Sequence, residues 1–413
     1  MQVVKCHYCK QGFIVEPLSL GEIDEIHLGK KYVHNDICFP AQMVVGEALA
    51  ALKSGKYQTG EVAIGMAKYC GDCRLSQYSA VLRRAMDAAG FKNVPIITTD
   101  PDDTKNMHPG LRLGSWFEMQ ALWAITMMDM LEELRRLIRP YELIPGETNQ
   151  VFDESIDLIA DAFNHGLDRA IAEYRKAVKA FCDIKYDKHS PRPRVFVTGE
   201  YLVTFHPGSN FHIENYLESN GMEVILPRMA NVFHKDFIKR IGEMKKNHVR
   251  YPMFDTVFTY GADKLFDLIL YILEKDAKKH PLYHPCEPLE ELAKDTDPII
   301  DRTYASGEGW LIAAEIREYA RAGVHSFVIL QPFGCLPNHI VGRGVMKRVK
   351  EEFPEVQILP LDLEPDTSFA NVENRLQMLI MNERSRHYVP EAEPVKDEFS
   401  GTWKGELSHI HST

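Results

Sequence analysis

The sequence predicts an α/β fold made of two Rossmann-like lobes with parallel sheets and a helical insertion. Three stretches carry this prediction, at residues 62–98, 194–226 and 324–361. In each, an apolar run of strand length is followed by a loop, a helical pattern and a second apolar run. Units of this kind favour parallel pairing, because the helix carries the chain back across the sheet. A chain of 413 residues is long enough for more than one core.

The same patterns divide the chain into four parts. They are an N-terminal α/β lobe with cysteine loops (1–110), a helical insertion (111–190), a second α/β lobe (191–385) and a polar C-terminal tail (386–413). The insertion is indicated by apolar residues at spacings of three and four, most clearly over 160–181. Ser190-Pro191-Arg192-Pro193 is typical of a linker.

In the N-terminal lobe the first sixty residues are predicted to be mainly irregular. Turns are expected at Gly21 and Gly29, with a short strand at residues 31–33. The later elements are a helix over 42–52, a strand over 62–67, a helix over 80–89 and a strand over 94–98.

The second lobe is predicted to contain four strands separated by helices. The strands are expected at 194–198, 222–226, 324–330 and 356–361. The helices are expected at 210–220, 231–275, 310–322, 340–352 and 369–381. Loops that leave the carboxyl ends of parallel strands meet at one edge of a sheet, where α/β proteins bind ligands.

Composition narrows the class of protein. The net charge of −11 argues against nucleic acid as a partner, because phosphate contacts need a surplus of Lys and Arg. The N-terminus lacks a secretory apolar region, and the longest apolar stretch, 121–131, is interrupted by Asp129. It is shorter than the roughly 20 residues that a membrane span requires. We therefore expect a cytoplasmic protein with no membrane partner.

Three cysteines occupy the same kind of position. Cys38, Cys73 and Cys335 each lie at a turn directly before a predicted helix, in a loop that contains Gly or Pro. A helix amino-terminus stabilises a thiolate, so these positions suit a nucleophile or a metal ligand. Cys182, in a helix, and Cys286, in a loop, lack this setting and are predicted to be structural.

The cysteines leave three kinds of site open. Cys6, Cys9, Cys70 and Cys73 form two short pairs that could hold a structural zinc ion. Cys70-Gly71-Asp72-Cys73 also meets the local criteria for a thiol–disulfide oxidoreductase. Ligands dispersed along the chain but converging at strand ends suit an iron–sulfur cluster held between lobes, with Cys38, Cys70, Cys73 and Cys335 as candidates.

Taken together, the loops resemble a known family. Residues 36–41 (Asp-Ile-Cys-Phe-Pro-Ala), 70–78 (Cys-Gly-Asp-Cys-Arg-Leu-Ser-Gln-Tyr) and 331–339 (Gln-Pro-Phe-Gly-Cys-Leu-Pro-Asn-His) are similar to signature loops of 2-hydroxyacyl-CoA dehydratase-related proteins. They resemble more closely the module of acyl-CoA dehydratase activase-related proteins, also called CoA-substrate-specific enzyme activases. Residues 198–201 and 307–310 look like further segments of that family. The resemblance covers roughly residues 32–98 and 194–380.

The resemblance implies an oxygen-sensitive iron–sulfur protein of two Rossmann-like lobes, typical of anaerobic metabolism. A separate ATP-dependent iron–sulfur activase would supply an electron at very low potential. In the dehydratases that electron forms a ketyl radical on a 2-hydroxyacyl-CoA and allows water to leave. In related double-cubane proteins, two linked 4Fe clusters reduce small molecules. By matching loops, Cys38, Cys73 and Cys335 would be the shared ligands.

The chain departs from the family pattern in two respects. It contains no Gly-x-Gly-x-x-Gly and no Walker-type loop, so we expect that it binds no nucleotide and that ATP belongs to a partner. It also carries extra cysteines, Cys6, Cys9 and Cys70. Six loop cysteines would match an 8Fe–9S double-cubane cluster, whereas three or four would match one 4Fe–4S cluster.

Polar residues near the cysteines complete the prediction. Glu200 follows a strand, and His339 follows Cys335, so both are candidate catalytic residues; Arg74 and His339 could also tune a cluster. Residues 206–210 (His-Pro-Gly-Ser-Asn) could hold a phosphate or substrate, or simply cap a helix. The expected function is a cluster protein, leaning towards a lyase or reductase, that takes electrons from the activase and acts on a small molecule. A non-catalytic electron-transfer or scaffold subunit and a thiol–disulfide oxidoreductase remain alternatives, and a homodimer or heterodimer remains open.

Overall fold

A computed structural model describes residues 14–18, 23–34, 36–68, 73–99 and 115–387. Within these ranges the chain is a mixed α/β protein, and its strands form two parallel sheets. Each predicted strand–helix–strand unit is present, so the α/β class is confirmed.

The N-terminal sheet has two strands. The elements in this part are α1 (Ile23–Tyr32), α2 (Phe39–Lys53), β1 (Ile64–Met66), a 3₁₀ turn (Arg74–Gln77), α3 (Tyr78–Ala88) and β2 (Ile96–Thr98). β1 and β2 pair in parallel, with Ile64 opposite Ile96. The crossover between them contains the 3₁₀ turn and α3, as the sequence pattern predicts.

Helix α1 corrects the sequence prediction. The expected strand at residues 31–33 and the expected turn at Gly29 are wrong, because α1 continues through both positions to Tyr32. Gly29 is needed for packing: a Cβ there would lie 1.8 Å from the carbonyl oxygen of Gln42 in α2. A Cβ on Gly46 of α2 would lie 1.9 Å from the carbonyl oxygen of Glu25. The two helices therefore cross at backbone contact, which only paired glycines permit.

We expect Gly46→Ala to destabilise the protein by roughly 3 kcal/mol, because the new methyl group can be accommodated only if α1 and α2 separate. This loss should exceed the roughly 1 kcal/mol that alanine gains over glycine in helix propensity. Gly60→Ala is the matched control, since a Cβ at Gly60 would meet nothing within 4 Å. Chemical denaturation would measure both variants, and equal stabilities would contradict the close crossing.

The middle of the chain is helical, as predicted. It contains α4 (Ser115–Ile138), α5 (Glu147–Ala162) and α6 (Leu167–Asp183). Their shared core includes Met130, Leu134, Tyr174 and Phe181, all fully buried.

The rest of the described chain forms the second sheet and the helices that surround it. Its elements are β3 (Arg194–Gly199), α7 (Tyr201–Phe205), α8 (Ile213–Ser219), β4 (Glu223–Ile225), α9 (Met229–Lys246), α10 (Met253–Ala277), α11 (Leu289–Thr296), α12 (Leu311–Arg321), β5 (Ser326–Pro332), α13 (Met346–Glu352), β6 (Gln357–Leu363) and α14 (Phe369–His387). The helix expected over 231–275 is divided into α9 and α10, because Pro252 caps the start of α10.

Four parallel strands form this sheet in the order β4-β3-β5-β6. Successive side chains of β3 enter two different cores. Val195 and Val197 pack with α2, α8 and α14, whereas Phe196 packs with α12 and α13. β4, the next strand in the sequence after β3, lies on one side of β3, and β5 lies on its other side. In open α/β sheets a reversal of this kind opens a crevice beyond the carboxyl ends of the two central strands.

The helices of the described residues lack the combination of length and apolar composition that would let one of them cross a membrane.

Glu315 is a buried carboxyl group on the inner side of α12. It is 3% exposed, and its hydrogen-bond donor is Asn231 Nδ2 at 3.4 Å. Burial raises the pKa of Glu315 to about 8, and the charge of Glu318 adds to the rise. A group whose pKa is raised by folding binds its proton more tightly in the folded chain. Stability therefore falls as the pH rises from the unfolded pKa to the folded one.

We expect the free energy of unfolding to fall between pH 5 and pH 8, and Glu315→Gln to reduce that fall by at most roughly 3 kcal/mol. The amide keeps an acceptor for Asn231 but has no proton to lose. Urea denaturation at several pH values would measure the slope. An unchanged slope in the variant would contradict the buried, protonated carboxyl.

Candidate metal centre at the cysteine loops

Two of the cysteine loops are locked together through their backbones. Cys38 directly precedes α2, and Cys335 precedes a helical turn (Leu336–Asn338) beyond β5. The N–H of Phe39 donates to the carbonyl of Phe333 at 3.0 Å. Gly334 has φ +77°, and a Cβ on it would lie 2.3 Å from the carbonyl oxygen of Ile37. No other residue type fits this contact without moving one loop.

The third loop is tied to the same segment. Cys73 precedes the 3₁₀ turn Arg74–Gln77, and Arg74 Nη1 donates to the carbonyl of Ile37 at 3.1 Å. Cys38, Cys73 and Cys335 are all free thiols, with Cys38 5% and Cys335 6% exposed. The structure thus brings the loops of these three cysteines into contact, although they lie far apart in the sequence.

The thiols are close enough to influence one another. Burial raises the pKa of Cys38 to about 11, and the charges of Glu200 and Cys73 contribute to the rise. The pKa of Cys335 is also raised by burial, then by Glu308 and Glu200. Cys38 Sγ and Tyr78 Oη are hydrogen-bonded to each other at 2.6 Å, which favours the thiolate form. Without an added positive charge, these thiols keep their protons at neutral pH.

Two carboxyl groups share the site. Glu200 follows β3, and its Oε2 accepts from the N–H of Val203 at 2.9 Å. Glu308 is 4% exposed, and its Oε1 accepts from the N–H of Tyr201 at 3.1 Å. Burial, followed by the charge of Glu308, raises the pKa of Glu200 to about 8, and burial raises the pKa of Glu308. Among the described residues, Glu308 Oε2 is buried without a hydrogen-bond partner.

A buried ammonium group, Lys235 on α9, lies near the same groups. It is 1% exposed, and its Nζ donates to Asp236 at 2.8 Å and to the carbonyl of Ala305 at 3.0 Å. Its positive charge lowers the pKa of Cys73 and of Glu308 against the effect of burial. The sequence prediction missed Lys235 and Glu308 as site residues. Helical spacing could have pointed to Lys235. It lies three residues before Ile238 and seven before Gly242, which are both buried, so all three residues share one face of α9.

The other predicted residues are distributed as follows. His339 opens a π-helical turn (His339–Arg343), and its N–H donates to the carbonyl of Cys335 at 3.1 Å. Cys286 lies away from the site, with its Sγ 3.8 Å from Tyr319 Oη, and Cys182 lies on α6. Cys6, Cys9 and Cys70 fall outside the described residues, so their predicted roles stay predictions.

Cysteine thiols are soft ligands, of the kind that zinc, copper(I) and iron–sulfur clusters bind. Within the described ranges, no three His, Cys, Asp or Glu side chains are grouped so as to hold one metal ion. A single zinc ion needs thiolates about 2.3 Å from one centre. An iron–sulfur cluster binds each thiolate through a different iron, so its ligands lie further apart. The buried thiols of Cys38 and Cys335, the half-buried thiol of Cys73 and an unpartnered buried carboxylate oxygen are compatible with such a group.

No family model matches this chain, and no curated protein matches it either.

The backbone contact at Gly334 can be tested through thiol accessibility. We expect Gly334→Ala to open the Cys335 loop, because the new Cβ overlaps Ile37 and the residue prefers negative φ. Labelling of Cys335 by iodoacetamide under native conditions, read by mass spectrometry, should become at least tenfold faster relative to Cys182. Gly65→Ala is the control, since a Cβ there would meet nothing within 4 Å. Unchanged labelling in Gly334→Ala would show that the loops are not locked.

Proposed function

We propose that this chain is an iron–sulfur protein that accepts low-potential electrons from an ATP-dependent activase and uses them to reduce or dehydrate a small molecule. The observation that supports the proposal is the contact between the loops of Cys38, Cys73 and Cys335, each of which precedes a helical segment. The resemblance of these three loops to the 2-hydroxyacyl-CoA dehydratase-related family supports the same assignment.

In this proposal the three thiolates hold a 4Fe–4S cluster, which supplies one-electron chemistry when bound. Lys235 and the amino-terminus of α2 contribute positive charge, and Cys38 and Cys335 are themselves buried. The N–H groups of Val203 and Tyr201 hold Glu200 and Glu308 in position beside the thiols. Either carboxyl group could then give or take a proton from a substrate, and His339 is a further candidate.

The proposal extends to the architecture. We infer that the two sheets belong to two Rossmann-like lobes, with the helices of residues 111–190 as an insertion. The parallel strands and the reversal of strand order between β3 and β5 support this. The free thiols support a reducing compartment such as the cytoplasm. ATP would be bound by the activase, because this sequence contains neither Gly-x-Gly-x-x-Gly nor a Walker-type loop.

The alternative of a thiol–disulfide oxidoreductase stays open. Its attacking thiol would be Cys70, the first cysteine of the pair, which lies outside the described residues. Burial raises the pKa of Cys73, the second cysteine, which need not be ionised to resolve a mixed disulfide. The non-catalytic alternative, an electron-transfer or scaffold subunit, shares the cluster and differs only in turnover. An 8Fe–9S double-cubane cluster would need further ligands such as Cys6, Cys9 and Cys70.

We expect the anaerobically purified protein to contain about four irons and four acid-labile sulfides per chain. Cys38→Ala, Cys73→Ala and Cys335→Ala should each lose most of this iron, because each removes one ligand. Cys182→Ala and Cys286→Ala are matched controls and should keep it. About eight irons would indicate the double-cubane form. A colourless wild-type protein without iron, or iron retained in all three ligand variants, would contradict the proposal.

Turnover separates the catalytic role from the electron-transfer role. The proposal predicts activity on a small substrate that requires ATP, the activase and a low-potential donor together. An intact cluster that is reduced by the activase but supports no turnover with any substrate would favour the non-catalytic subunit.

A further inference from the structure

The outer face of α10 carries a stripe of exposed apolar side chains. Its residues are Phe254, Val257, Phe258, Gly261, Lys264, Leu268 and Tyr271. The five large apolar side chains among them are each more than half exposed, and Phe254 is 80% exposed. Single exposed apolar residues are ordinary on protein surfaces, whereas a contiguous group of them marks an interaction site.

The stripe has the spacing of a helix that pairs with another helix. From Phe254 to Tyr271 its members are separated alternately by three and four residues, as in a heptad repeat. On the opposite side of α10, Ile269 and Leu273 are fully buried in the core shared with α4 and α6. A surface helix normally has a polar outer face, so a helix that is apolar on both sides is typical of one that is covered on both sides.

Gly261 lies in the middle of the stripe and has no packing role within the described part of the chain. A Cβ there would meet nothing within 4 Å. Glycine is among the least favourable residues in a helix interior, and its benefit is that another backbone can approach closely. The crossing of α1 and α2 uses this property, with Gly29 and Gly46 at the point of contact. A helix that crosses α10 at Gly261 would likewise need a small residue at the crossing.

A second copy of α10 supplies that residue. A two-fold axis at Gly261 would place the two glycines opposite each other, with the helices antiparallel. Phe254 and Leu268 each lie seven residues, about two turns, from Gly261. Phe254 of each copy would therefore pack against Leu268 of the other. Lys264 follows Gly261 by three residues and would lay its aliphatic stem over Phe258 of the other copy, which precedes Gly261 by three.

The exposed area is of the size that a dimer requires. Aromatic side chains bury roughly 150–250 Å² each, so the exposed parts of Phe254, Phe258 and Tyr271 come to roughly 300–500 Å² per chain. A stable interface covers roughly 800 Å² per partner, of which about 60% is apolar. The charge of Lys264 is already paired, because its Nζ lies 2.7 Å from the carboxylate of Asp267. The stripe can thus be covered without burying an unpaired ammonium group.

From these features we propose that the outer face of α10 is a homodimer interface, in which two copies of this chain cross antiparallel at Gly261 about a two-fold axis. The interface accounts for the exposed apolar side chains and for the glycine between them. It is independent of the proposed function, since it involves neither the cysteines nor a substrate.

Sedimentation velocity of the full chain, with a reductant present, should show a species of twice the mass of one chain at micromolar concentration, within the range that interfaces of this size reach. Phe254→Asp places a charge in the stripe, and Gly261→Leu fills the crossing point. Each should weaken dimerisation at least tenfold. Met378→Asp is the matched control, because Met378 is 66% exposed on α14, outside the stripe, and should leave the dimer unchanged. Circular dichroism would verify that each variant is folded.

A charge pair tests the antiparallel arrangement. Leu268→Lys alone should also weaken the dimer, whereas Phe254→Asp combined with Leu268→Lys should bind more tightly than either single variant, because the opposite charges would face each other across the axis. A double variant no tighter than the single ones would contradict the crossing at Gly261.

Two further results would overturn the proposal. A wild-type chain that stays monomeric would leave the stripe to a different protein or to a lipid surface. A dimer that survives Phe254→Asp and Gly261→Leu unchanged would have its interface elsewhere. Assembly that continues beyond the dimer would contradict the closed two-fold symmetry.

Discussion

The backbone contact between Gly334 and Ile37 is the constraint on which the cysteine site depends. It brings the loop beyond β5 against the residues that precede α2, and the Phe39 N–H to Phe333 carbonyl bond closes it. Because Arg74 binds the same carbonyl of Ile37, the third loop follows the first two. The crossing of α1 and α2 at paired glycines holds α2 in place. The site is therefore positioned by backbone packing, which is more precise than side-chain contacts alone.

Charge is the second organising factor. Three thiols and two carboxyl groups lie close together, and Cys38, Cys335 and Glu308 among them are buried. Ionising all five would place several negative charges where water solvates them poorly. The raised pKa values record this cost. The positive charge of Lys235 offsets part of this cost. A bound positive centre would offset more, because it would lower the pKa of the thiols and favour their thiolate forms. In the proposed function the site is thus built to be completed by a cationic group.

The sequence predicted the parts of this arrangement that repeat a local pattern. Strand–loop–helix spacing located β1, β3 and β5, and with them the loops of Cys73 and Cys335. Cys38 was correctly placed before a helix, but the element that precedes it is α1 and not a strand. It failed at α1, where a glycine that looked like a turn residue serves a helix crossing instead. It also missed Glu308 and Lys235, whose burial depends on packing between distant segments. A cavity lined by residues of α4, α5 and α8 could not be predicted either, since these helices meet only in the folded chain.

The central claim is that Cys38, Cys73 and Cys335 hold one iron–sulfur cluster. The most direct measurement is anomalous diffraction at the iron absorption edge, using crystals of the intact chain grown without oxygen. The account predicts one strong iron peak, or a cluster of peaks, in contact with the sulfur atoms of all three cysteines. A map without an iron peak there, or with all the iron bound elsewhere, would contradict it.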